Sequence, residues 1–146
     1  MMIVRLQGTS RTVRRGLRSG AEEGVDSKWF GFLAEGVAAR HLKRIGYRIL
    51  ARNWRSKGGE IDLVAWRDET LIFCEIKARH VATGREPGDA IDVHKRRRLV
   101  QLADNYLRHH PEWEGCACRF DAILVWRAGW CWQVEVIADA FRPGWE

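Results

Sequence analysis

Gly59-Glu60-Ile61-Asp62-Leu63-Val64-Ala65-Trp66 and Thr70-Leu71-Ile72-Phe73-Cys74-Glu75-Ile76-Lys77-Ala78 are the two stretches whose reading decides the fold. Both are rich in β-branched and aromatic residues. Arg67-Asp68-Glu69 joins them, so they read as the strands of one hairpin. Alternation puts Ile61, Leu63 and Ala65 on one face and Glu60, Asp62 and Val64 on the other. In the second strand Ile72, Cys74 and Ile76 face one way, and Leu71, Phe73, Glu75 and Lys77 face the other. A turn of two residues (Asp68-Glu69) or four (Arg67 to Thr70) pairs Trp66 with Leu71, Val64 with Phe73 and Asp62 with Glu75. Two acids then stand opposite each other on a face shared with Val64 and Phe73. A three-residue turn would shift the register by one and separate them.

Like charges at directly opposed positions destabilise a sheet by roughly 0.2–1 kcal/mol, and by more when desolvated. A cation relieves that repulsion. Mg²⁺ and its relatives take oxygen ligands and commonly use one or two carboxylates. Lys77 lies two residues beyond Glu75 on the same face, within reach of whatever such a cation holds. Carboxylates, a metal and a lysine suit phosphodiester hydrolysis. The metal acidifies a bound water and neutralises phosphate charge, and the lysine holds the water or stabilises developing charge. The plain alternative is a Glu–Lys surface pair beside an unrelated aspartate on a solvated face.

Working outward, Trp29, Leu33, Val37 and Ile45, with Ala34, Ala38 and Leu42, recur at helical spacing from Lys28 to a stop at Gly46. Glu35 falls at the edge of that apolar stripe, facing either the sheet as a third acid or water. Residues 47–54 form a strand, and Ser56-Lys57-Gly58-Gly59 a turn before the hairpin. After a polar loop, His80 to Gly88, a helix is expected from about Asp89 to His109, ended by Pro111. That loop has the composition of a flap over a substrate. Residues 119–126 and 130–137 make a last hairpin around Ala128-Gly129. The order is α-β-β-β-α-β-β. It predicts an α/β fold with a mixed β-sheet flanked by helices.

The chain has 146 residues, 46 % hydrophobic and 30 % charged, the size and composition of one domain. No apolar run approaches the ~20 residues of a membrane span, and no secretory signal is evident at the start. These features predict a cytoplasmic protein without a membrane partner. The net charge is +6, and residues 1 to 20 hold five arginines and no acid, which leaves +1 for the rest. Residues 1–27 are therefore expected as a flexible basic arm ahead of a domain at 28–146. Such an arm suits a polyanion. Cys116 and Cys118 lack a second ligand pair at zinc spacing, so the four cysteines read as reduced packing residues.

Gly31, Glu35, Ala38 and Leu42, then residues 46–54 (GYRILARNW), Gly59-Glu60-Ile61-Asp62-Leu63 and Phe73-Cys74-Glu75-Ile76-Lys77 closely resemble the YraN family of bacterial proteins. Lys95 to Leu99, Arg119-Phe120-Asp121 and Ala140-Phe141 extend the match. That family is functionally uncharacterised. It is similar to the PD-(D/E)XK nuclease superfamily, and especially to archaeal Holliday-junction resolvases. The resemblance implies a restriction-endonuclease-like core. It gives Asp62, Glu75 and Lys77 the catalytic positions, with Glu35, Asp62 and Glu75 as ligands to Mg²⁺ or Mn²⁺. Cys74 departs from the aliphatic residue usual in the family. The basic arm and the tryptophan-rich end (Trp126, Trp130, Trp132, Trp145) lie outside the shared pattern.

Basic residues flank these positions. Arg52, Arg55, Lys57 and Arg79 border the catalytic strands, and Lys95 and Arg96 open the second helix. All six are candidate contacts to nucleic-acid phosphates. No base-reading motif is present, so recognition by shape and phosphates is expected. The function implied is hydrolysis of DNA, at branched or damaged sites. The alternative is a non-catalytic nucleic-acid-binding or adaptor module of the same fold, and a third reading is a protein-interaction partner working through the tryptophan-rich hairpin. The junction-resolvase analogy adds a homodimer.

Overall fold

The computed structural model describes residues 3–7, 20–79 and 91–144, with side chains from Lys28 onward. Strands β1 (Ile3–Gln7), β2 (Arg48–Ser56), β3 (Gly59–Arg67), β4 (Thr70–Arg79), β5 (Ala117–Ala128) and β6 (Cys131–Phe141) form one sheet in the order β1-β6-β5-β4-β3-β2. Helices α1 (Gly20–Arg44) and α2 (Val93–His109) cover its two faces. Among the described strands only β4 and β5 run parallel, and α2 makes the crossover that a parallel pair requires. The fold is thus α/β with a mixed sheet between helices, in the expected order from Lys28 onward.

Four boundaries differ from the sequence reading. Helix α1 begins at Gly20, eight residues before the expected domain start at Lys28. Strand β1 lies within the stretch read as a basic arm, and its backbone pairs antiparallel with β6. Helix α2 starts at Val93 rather than Asp89, because Asp92 is its N-cap and accepts the Lys95 amide at 3.0 Å. The last turn is Gly129-Trp130, so Trp130 leaves the strand and is exposed. The expected flap at 80–88 lies outside the described residues, as do residues 8–19 of the arm.

Helix α1 ends where the chain needs a left-handed residue. Gly46 has φ +100°, the Tyr47 amide bonds the Leu42 carbonyl, and the Gly46 amide bonds that of Lys43. Its inner face packs Ala34, Val37, Ala38 and Leu42 onto Leu63, Ala65, Ile72 and Cys74. On the other side Leu99, Leu102, Ala103 and Tyr106 of α2 cover Val64, Leu71, Phe73 and Phe120.

The β3–β4 turn is the two-residue form, Asp68-Glu69, with φ +50° and +55°. It sets the expected register: Trp66 opposes Leu71 and Val64 opposes Phe73. The ladder stops at Leu63–Cys74, one step short of Asp62 and Glu75. One face assignment is corrected. Leu63 packs under α1, but Ile61 packs under α2 with Val64 and Phe73. The alternation breaks at Asp62. Between the β2–β3 pairs Arg52–Leu63 and Trp54–Ile61, Asn53 stands opposite Asp62 with φ +49°. Trp54 joins Ile61 against α2. Both strands turn over at the Asn53–Asp62 step.

Candidate active site

The break in the sheet sets the position of the Asp62 carboxylate. Without a ladder to continue, the Ile76 amide donates to Asp62 Oδ2 at 2.7 Å. The side chain bridges β3 to β4 where the backbone no longer does. Burial, reinforced by the nearby Glu75, pushes the Asp62 carboxyl up to about 7, while the Ile76 bond pulls the other way. Glu35 and Glu60 add smaller upward pushes.

Glu75 is largely enclosed and meets α2. Its Oε1 accepts from Lys95 Nζ at 3.2 Å, with side-chain exposures of 15 % and 38 %. The Asp92 cap starts α2 three residues earlier and so presents Lys95 to β4. Lys77 is half-buried in the same neighbourhood. Burial, and then the charge of Lys95, lower its ammonium below the usual lysine range.

Glu35 reaches the site from α1. Asn53 Nδ2 donates to its Oε2 at 3.5 Å, so the residue opposite Asp62 holds the third acid. The sequence reading gave Asn53 no role. The signal was available: asparagine is disfavoured inside strands and tolerates the left-handed region.

The other expected contacts divide. Lys95 faces the acids. Arg52 and Lys57 are exposed on β2 and its turn. Arg55 is paired with Glu60 at 3.1 Å. Arg96 donates to the Ile91 carbonyl at 2.6 Å and lies over the Phe141 ring at 5.7 Å, so it helps anchor the start of α2. Arg79 is half-buried at the end of β4.

A divalent cation fits the chemistry of the donors more closely than their present arrangement. Asp62 and Glu75 offer hard oxygen ligands in a crowded negative spot. Among the described residues, however, no three His, Cys, Asp or Glu side chains converge as a ready metal cage. Lys95 occupies Glu75 and Asn53 occupies Glu35 instead.

A second buried acid belongs to structure. Asp121 accepts Arg119 through two bonds of 2.8 and 2.9 Å, Tyr47 Oη at 3.3 Å and the Asp139 amide at 3.0 Å. This is the Arg-Phe-Asp segment of the sequence pattern, and its aspartate ties β5 to β6 and to Tyr47, just ahead of β2. Among the described residues, no helix is long and apolar enough to cross a membrane.

The fold and site define an α/β chain with a mixed sheet between two helices and a carboxylate–lysine cluster where β3 and β4 part. The chain belongs to the uncharacterised protein family UPF0102, the YraN family of the motifs above, whose model matches residues 34–125. A UPF0102 protein of Magnetococcus marinus is 45 % identical over 118 residues, covering 81 % of this chain and 95 % of that one. One from Pseudomonas entomophila is 41 % identical over 114 residues, covering 77 % and 92 %. One from Stutzerimonas stutzeri is 35 % identical over 118 residues, covering 80 % and 98 %.

Proposed function

We propose that the chain is a metal-dependent endonuclease that hydrolyses phosphodiester bonds in DNA, in the cytoplasm. One observation carries this reading. Asp62 and Glu75 come from adjacent strands to one crowded spot, and Lys77 and Lys95 lie against it. Asp62 and Glu75 would hold Mg²⁺ or Mn²⁺, with Glu35 joining them on leaving Asn53. When bound, the ion supplies an acidified water and neutralises charge on the phosphate.

The chain's own groups supply the rest. Asp62 is held by Ile76 through Oδ2, which leaves Oδ1 to carry a proton at neutral pH and release it when a cation arrives. Lys77, shielded and crowded by Lys95, gives up its proton more readily than a free lysine and can hold the attacking water through Nζ. Lys95 can exchange Glu75 for a phosphate oxygen. Arg52 and Lys57 are exposed to the strand beyond. A four-way junction would call for two copies of the chain, and Trp130 at the β5–β6 turn is exposed for such a contact.

A second reading has its own observation. Lys95 and Asn53 already satisfy Glu75 and Glu35 without a metal, as in a module that binds nucleic acid without cutting it. Cleavage of duplex, single-stranded, flap and four-way-junction DNA with Mn²⁺ or Mg²⁺ separates the two. Wild type should cut at least one form, and Asp62→Ala and Lys77→Ala should each lower the rate roughly a hundred- to a thousandfold, as loss of a charge-stabilising group does. Absence of cutting by wild type, with salt-sensitive binding intact, favours the binding module. Cutting that survives both substitutions puts the site elsewhere.

A further inference from the structure

Helix α1 leaves a pair of large aromatic rings in water within two turns of Glu35. Trp29 and Phe32 are each 60 % exposed, and Leu33 next to them is 37 % exposed. The Trp29 and Phe32 rings stack on each other with centroids 5.5 Å apart and planes 21° from parallel. Phe30 turns the opposite way, onto Trp132, so the outward pair is not needed to pack the helix. Exposed apolar clusters of this kind mark binding surfaces.

Phe32 is the member of the pair aligned with an acid of the site. Lys28, Phe32 and Glu35 fall at i, i+4 and i+7, one stripe along the helix. Phe32 lies about 4.5 Å before Glu35 along the axis, and Lys28 about 6 Å before Phe32. Gly36 lies one turn beyond Phe32 and Gly31 one turn before Glu35, and a Cβ added at either would meet nothing within 4 Å. Helix-interior glycines are unfavourable, and no packing contact requires these two. They leave the helix surface beside the rings low and open. Exposed cations stand at both ends: Lys28 on the stripe, and Arg52 next to the asparagine that holds Glu35.

We propose that Trp29 and Phe32 form a stacking platform for an unpaired base of the DNA whose phosphate lies at Asp62 and Glu75. The substrate class is therefore DNA with single-stranded character next to the cut, such as a flap or a splayed branch. A flat aromatic face takes any unpaired base, whereas bases stacked inside a duplex cannot reach it. The flanking cations match the phosphates on either side of that base. A second copy of the chain is a poorer occupant. At 60 % exposure two rings of about 150–250 Å² offer only about 180–300 Å² per copy, short of the roughly 600 Å² a side of a stable interface. The platform deepens the endonuclease reading and rests on it for the position of the phosphate.

The test measures binding and cutting separately. Polarisation of labelled oligo-dT, a flap and a blunt duplex is read in chelator, so that no cleavage occurs. Trp29→Ala and Phe32→Ala should each weaken oligo-dT and flap binding roughly 5- to 100-fold. Blunt-duplex binding should stay within about twofold, and Trp29→Phe and Phe32→Tyr should restore most of the loss. Thermal melting of each variant confirms that these exposed sites have left the fold intact. Unchanged oligo-dT binding, or an equal loss on duplex, overturns the platform. So does a dimer that the substitutions convert to monomer while DNA binding is untouched. Failure of wild type to cut any form with Mn²⁺ instead sinks the endonuclease reading, whatever the polarisation shows.

Discussion

Asp62 and Asp121 both sit inside the sheet at a place where strand pairing breaks, and each has a residue with positive φ on the neighbouring strand. For Asp121 the irregularity is the register shift between β5 and β6, and Asp139 has φ +54°. For Asp62 it is the turnover of β2 and β3, and Asn53 has φ +49°. The surroundings then diverge. Asp121 is met by a bidentate guanidinium, a phenol and an amide. Asp62 has one amide and three other carboxylates nearby. A buried acid whose partners are all supplied by the chain is part of the frame. One whose neighbours repel it is held ready for something the chain does not supply, and that contrast singles out Asp62 for chemistry.

Removing each charge should therefore act in opposite directions on stability. Asp121→Asn leaves Arg119 and Tyr47 donating toward an amide, and should destabilise the fold by about 3–5 kcal/mol, as breaking a buried pair does. Urea unfolding at pH 8 measures it. A loss under about 1 kcal/mol would mean that the network is dispensable and the comparison empty.

Asp62→Asn keeps an oxygen for the Ile76 amide and removes the repulsion. The sign follows from the shift. A folded-state value of about 7 lies above the ordinary carboxylate value, so the folded protein holds this proton more tightly than the unfolded chain. The stability it contributes is full below about pH 4 and is lost as the pH rises through about 7. At pH 8 Asp62→Asn should be more stable than wild type by roughly 2–3 kcal/mol. That is less than the full 1.36 kcal/mol per unit, because neighbouring acids relax. Near pH 4 the two should coincide, and Mn²⁺ at pH 8 should raise the wild-type melting temperature but not that of the variant. A stability difference that ignores pH would remove the case for a strained carboxylate.

The sequence made much of this site legible, for identifiable reasons. The hairpin register could be read because a two-residue turn at Asp68-Glu69 leaves only one way to pair Val64 with Phe73. Helical spacing put Glu35 at the edge of the apolar stripe and left it facing either the sheet or water; only the family resemblance pointed it to the site. The face of Ile61 could not be read, because alternation assumes an unbroken extended backbone and the Asn53–Asp62 step turns both strands over. Helix α1 was started late because residues 20–27, GAEEGVDS, carry too little apolar periodicity to show a helix. The role of Asp121 was out of reach. Its partners come from residues 47, 119 and 139, and only the tertiary fold joins them.

Asn53 offers the smallest test and the most discriminating one, because its backbone and its side chain do different things. At φ +49° an alanine is strained by about 1–2 kcal/mol, while glycine adopts the conformation freely. Asn53→Ala should thus lower stability by about 1 kcal/mol, and Asn53→Gly by no more than a few tenths. Both lose the amide that meets Glu35 at 3.5 Å. If that contact only parks Glu35 away from the metal, both variants should bind Mn²⁺ at least as tightly as wild type, read by the rise in melting temperature on titration. If it orients Glu35 as a ligand, both should bind more weakly, by a few-fold, in spite of their unequal stabilities. A change that followed stability, present in Asn53→Ala and absent in Asn53→Gly, would assign Asn53 to the strand turnover alone and leave Glu35 outside the site.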